Sequence, residues 1–114
     1  MQERRRMKRR HLIYYLPVHD QASGEMVGYL VDLTEYGLLI FSESAVALER
    51  VLTLRIDLPE PVLDQVTLEV SAESRWAAPD ANPHYALTGF EFIDPSPQAA
   101  DLIHFLIERF GFKD

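Results

Sequence analysis

Leu52-Thr53-Leu54-Arg55-Ile56-Asp57-Leu58 alternates apolar and polar residues without a break. Only a strand with one face in a core and the other in water needs that period of two. Pro59-Glu60-Pro61 predicts its end, because proline cannot donate to a ladder. Val66, Leu68, Val70 and Ala72 then alternate with Thr67, Glu69, Ser71 and Glu73, and the same parity reaches Trp76. Working outward, Leu12 to Asp20 and Met26 to Leu33 read as two strands joined by the turn residues 21–25. Thr34-Glu35-Tyr36-Gly37 breaks the second, and Leu38 to Ser42 begins another. Residues 78–83, with two prolines, predict a loop, and Tyr85 to Ile93 a last strand interrupted by Gly89.

The C-terminal segment changes period. Ala99, Leu102, Ile103, Leu106 and Phe110 recur at spacings of three and four, one apolar stripe of a helix over about 97–110. Ser96-Pro97 is a plausible N-cap with proline in the first helical position, Asp94-Pro95 being the alternative, and Gly111 a stop. Six short strands and one amphipathic helix predict a mainly β fold, a small antiparallel barrel or sandwich with a helical cover.

At 114 residues there is room for one domain with one core. The net charge of −7 conceals an asymmetry. Residues 1–11 carry Arg4, Arg5, Arg6, Lys8, Arg9 and Arg10 against Glu3 alone, a net of +5, while the remainder carries −12. The division expected is a flexible basic arm, 1–11, and a single domain, 12–114, with the arm either lying on its own acidic body or binding an anion. The acidic body argues against DNA or RNA as partner, since a duplex is held through its phosphates. The absence of cysteine fits a cytoplasmic location, and no apolar run approaches the roughly 18–20 residues that span a bilayer, so no membrane insertion is expected.

Catalysis is not expected. His11, His19, His84 and His104 lack metal-ligand spacing, no serine stands in a G-x-S-x-G elbow, and the glycines form neither a P-loop nor a dinucleotide fingerprint. Binding chemistry is better represented. Arg5 and Arg9, or Arg6 and Arg10, are spaced as R-x-x-x-R, and a guanidinium fork matches both phosphate oxygens and the O6/N7 edge of guanine. The corner from Asp32 to Gly37 offers a carboxylate that can accept from guanine N1–H and N2–H₂ and a threonine hydroxyl. Gly37 is read there as a positive-φ residue. The plainer reading of the corner is a turn closed by side-chain hydrogen bonds. Trp76, the only tryptophan, is inward by parity, yet its place before a proline-containing loop suits a ring at the rim; both readings stand open.

Taken together, Glu3-Arg4-Arg5-Arg6-Met7-Lys8-Arg9 and Val31-Asp32-Leu33-Thr34-Glu35-Tyr36-Gly37-Leu38, with the strand order and the closing Gly89-Phe90-Glu91-Phe92, resemble the PilZ domain. PilZ domains are bacterial receptors for cyclic di-GMP, with R-x-x-x-R and D-or-N-x-S-x-x-G motifs. The resemblance covers nearly the whole chain and implies a six-stranded split β-barrel with a C-terminal helix. It implies that Arg5 and Arg9 grip guanine edges and phosphates while Asp32, Thr34 and Gly37 form the barrel side of the pocket. The Arg6/Arg10 register remains permitted, and Arg4 stands beside it; Arg5/Arg9 is preferred because it aligns better with the following strand. Thr34 replaces the family's usual serine, keeping the hydroxyl and adding a methyl. Trp76 falls where some members stack an aromatic ring on a guanine. The implied function is a non-catalytic receptor, without cofactor, whose arm orders over cyclic di-GMP to signal to an effector protein not identifiable from sequence. The alternative is an adaptor of the same fold that binds no nucleotide.

Overall fold

The structure is a computed structural model that describes residues 16–110, the side chain of Phe110 excepted. Six strands, β1 (Leu16–Asp20), β2 (Met26–Leu33), β3 (Gly37–Ser42), β4 (Val51–Val62), β5 (Gln65–Pro79) and β6 (Ala86–Phe92), precede one helix, α1 (Pro97–Phe110). All neighbouring pairs are antiparallel, and the order β1-β2-β3-β6-β5-β4 closes into a barrel, as expected. Closure removes the unpaired edges that an open sheet of this size would expose.

The alternation around residue 54 is the core pattern. Leu54 and Ile56 of β4 face Leu68, Val70 and Ala72 of β5, all buried, with Val18, Leu30, Leu33, Leu38 and Ile40 from the far side. The helix adds Ala99, Leu102, Ile103, Leu106 and Ile107 to the same core. Its cap is Ser96, whose Oγ accepts from the Ala99 N–H at 3.0 Å, and Arg109 at the last turn donates to Glu60 of β4 at 2.7 Å. No helix among the described residues is long and apolar enough to cross a membrane.

Four details depart from the sequence reading. The strand expected to stop at Pro59 continues to Val62: the register jumps from Asp57↔Thr67 to Val62↔Gln65, so residues 58–61 face Val66 alone. Outside the regular ladder the missing proline N–H groups cost nothing. The hairpin turns instead at Leu63 and Asp64, both at positive φ (50° and 63°), the geometry of a tight two-residue turn matched to strand twist. The loop expected from residue 78 starts later, because β5 runs to Pro79. Gly89 does not interrupt the last strand, which pairs continuously with β3 from Gly37↔Glu91 to Ser42↔Ala86. Residues 12–15 of the first expected strand, the basic arm and the Gly111 stop lie outside the described residues.

Candidate functional site

Three local events build the site. The first is the corner after β2. Thr34 N–H donates to the Gly37 carbonyl at 2.9 Å, and the Thr34 hydroxyl accepts from the Tyr36 and Gly37 N–H groups at 3.1 and 3.2 Å while reaching the Gly37 carbonyl at 3.3 Å. The hydroxyl is therefore engaged within the turn, and its work is to shape it. Asp32 accepts from the Leu33 N–H at 2.9 Å. The turn is fastened to β6 where Phe92 N–H donates to the Tyr36 carbonyl.

The second is the entry to β3. Gly37 is required, for a different reason from the one expected: its φ is not positive. A Cβ there would run into the Phe90 carbonyl oxygen, with the Phe90 carbonyl carbon at 3.1 Å and Glu91 Cα at 3.2 Å. Glycine is demanded by close backbone approach rather than by turn conformation.

The third is a bulge in β5. Ser74 pairs with Phe90 and Trp76 with Gly89, leaving Arg75 as the extra residue. The inward parity that runs through Leu68, Val70, Ala72 and Ser74 is thereby reversed, since one inserted residue turns its successors in the strand to the other face. Trp76 is 49% exposed, which settles core against rim in favour of the rim. The bulge is held from below: buried Ser74 donates its hydroxyl to the Ala47 carbonyl at 2.6 Å and accepts from the Arg50 N–H at 3.0 Å. The Trp76 ring lies over Gly89, where a Cβ would come within 2.8 Å of Cζ2 and closer still to Nε1.

These events surround an open cavity of about 420 Å³ whose lining includes Asp32, Thr34, Tyr36, Gly37, Arg75, Trp76, Gly89 and Glu91. Asp32, Thr34, Gly37 and Trp76, four of the residues singled out from sequence, thus converge. Arg4, Arg5, Arg6, Arg9 and Arg10 lie outside the described residues. Tyr36, Arg75, Gly89 and Glu91 were not anticipated. Tyr36, an aromatic inside the motif and 76% exposed, could have been noticed; Arg75 depends on the bulge, and Gly89 and Glu91 on the pairing of β6 with its neighbours. Arg75 Nη1 lies 3.3 Å from Glu73 and 3.4 Å from Glu91. Chemically the site offers two exposed aromatic faces, two carboxylates, Asp32 and Glu91, and one guanidinium. Among the described residues no cluster of His, Asp and Glu could hold a metal ion.

The family model described as the PilZ domain matches residues 3–109. The chain belongs to that family. Its fold agrees: the inhibitor of motility MotI/DgrA of Bacillus subtilis superposes with a TM-score of 0.66 at 18% identity, over 84% of this chain and 46% of that one. This PilZ domain thus spans about half the length of MotI. The PilZ domain of YcgR from Escherichia coli, in a structure with c-di-GMP, superposes with a TM-score of 0.64 at 14% identity, over 84% of this chain and 80% of that one. No curated protein matches.

Proposed function

We propose that this PilZ domain is a non-catalytic receptor for cyclic di-GMP, and that residues 1–11 form an arm that orders over the bound ligand. The carrying observation is the convergence of Asp32, Thr34 and Gly37 with the exposed rings of Tyr36 and Trp76 around one cavity. The solved YcgR domain, of the same fold, holds the same ligand. In this reading a guanine stacks on Trp76, and Asp32 accepts from its N1–H and N2–H₂ edge. Thr34 holds the turn at Tyr36 and Gly37 in position.

The charges support a contribution from the arm. Asp32, Glu91 and Arg75 leave the described lining one unit negative, a poor match for a ligand with two phosphates. Cations from elsewhere must supply the balance, and Arg5 and Arg9, or Arg6 and Arg10 with Arg4, are the proposed source. Leu16, the first described residue of β1, lies opposite Leu30, and Asp32 lies only two residues further along β2. Six residues separate Arg9 from Leu16, and the seven Cα–Cα steps between them span up to about 25 Å in an extended chain, more than the two-residue offset along β2 between Leu30 and Asp32. Ordering of the arm would change the surface offered to an effector protein, in a bacterial cytoplasm.

Calorimetry with cyclic di-GMP, GMP and duplex DNA tests this. Micromolar or tighter binding of the cyclic dinucleotide, with GMP and DNA weak, is the expected result. Silence toward all three refutes it and leaves the nucleotide-free adaptor.

A further inference from the structure

Arg75 is the extra residue of the β5 bulge and the only basic side chain lining the cavity among the described residues. Two carboxylates on adjacent strands share its Nη1, Glu73 at 3.3 Å and Glu91 at 3.4 Å. All three side chains meet solvent, at 54%, 29% and 60% exposure, so each pair is screened and contributes little to the fold. Both contacts fall on one nitrogen, and neither uses the bidentate geometry that makes guanidinium–anion pairs strong. A phosphate can present two oxygens to the fork at once. The resting arrangement therefore cancels the charge of Arg75 with contacts that an oxyanion can replace.

We propose that Arg75 is a further phosphate ligand of this pocket, and that Glu91 sets its affinity by holding the guanidinium until the ligand displaces it. The proposal rests on the cyclic di-GMP reading above and adds a residue outside both motifs. Glu91 then has two effects, direct repulsion of the ligand and competition for Arg75, and only the second depends on Arg75 being present.

That dependence is the test. Cyclic di-GMP is titrated by calorimetry into the whole protein and the Glu91→Gln, Arg75→Gln and double variants, with a melting curve for each. Glu91→Gln is expected to tighten binding about two- to fivefold, the range of one exposed ion pair. Arg75→Gln is expected to weaken it at least fivefold, and Arg75→Lys, which keeps the charge and loses the fork, to fall between. In the Arg75→Gln background the gain from Glu91→Gln should shrink markedly, the non-additivity of two coupled groups. Equal gains in both backgrounds reduce Glu91 to simple repulsion and overturn the proposal. Normal binding by Arg75→Gln overturns it as well. If the unmodified protein itself ignores cyclic di-GMP, the receptor reading falls and takes this inference with it; binding by the unmodified protein beside unresponsive variants removes this inference alone.

Discussion

Gly89→Ala should separate the binding surface from the fold. The added methyl would project into the underside of the Trp76 indole, 2.8 Å from Cζ2 and nearer to Nε1, against an ordinary contact of 3.4 Å or more. The ring must therefore lift by about 1 Å or swing aside. It can do so, because it is a half-exposed side chain beside the β5 bulge rather than backbone. Alanine also restricts the unfolded chain more than glycine, worth roughly 0.4–1 kcal/mol in favour of the folded state, which offsets lost ring contacts. Net stability should stay within about 1 kcal/mol of the unmodified protein. Affinity should not. Stacking of a base on an aromatic ring contributes on the order of 1–3 kcal/mol, so displacing the ring weakens cyclic di-GMP binding about five- to a hundredfold. Calorimetry reads the affinity, urea unfolding the stability, and the single tryptophan reports its own displacement by fluorescence. Unchanged affinity alongside a shifted emission spectrum would refute the role of the ring in binding. A stability loss above about 3 kcal/mol would refute the claim that it is free to move.

Gly37→Ala makes the same one-carbon change against backbone, the Phe90 carbonyl, which cannot swing away; destabilisation of at least about 2 kcal/mol is expected in urea unfolding. Ser74→Ala removes the hydroxyl that joins the Ala47 carbonyl to the Arg50 N–H and should cost about 1–3 kcal/mol, with a change in Trp76 fluorescence as the bulge above it loosens. Arg9→Ala should abolish most affinity for cyclic di-GMP and leave the melting temperature unchanged; normal binding would move the contact to Arg6 and Arg10 or to another site.

Strand count, helix position and the capping serine were legible because each is a local matter. Period two at 52–58, period three to four at 99–110 and a hydroxyl ahead of Pro97 need no knowledge of what they pack against. The errors fell where a neighbour decides. Pro59 and Pro61 read as a strand end, yet the strand passes through them because residues 58–61 bulge opposite Val66 and so stand outside the regular ladder. The turn beyond them uses Leu63 and Asp64, which carry no glycine signal.

The candidate site divides in the same way. The sequence by itself determined the residue types of the Asp32–Gly37 corner, since a hydroxyl three residues before a glycine closes its own turn through short-range hydrogen bonds. It also determined the separation of charge between a basic N-terminus and an acidic remainder, which is a property of the chain whatever its shape. Only the tertiary structure decided that Trp76 stands at the rim, that Arg75 sits beside it between two carboxylates, and that Gly37 is glycine because β6 passes so close. Each depends on one inserted residue in β5 or on the backbone of a strand some fifty positions away, and a register set by distant pairing leaves no periodic trace in the residues it reorients.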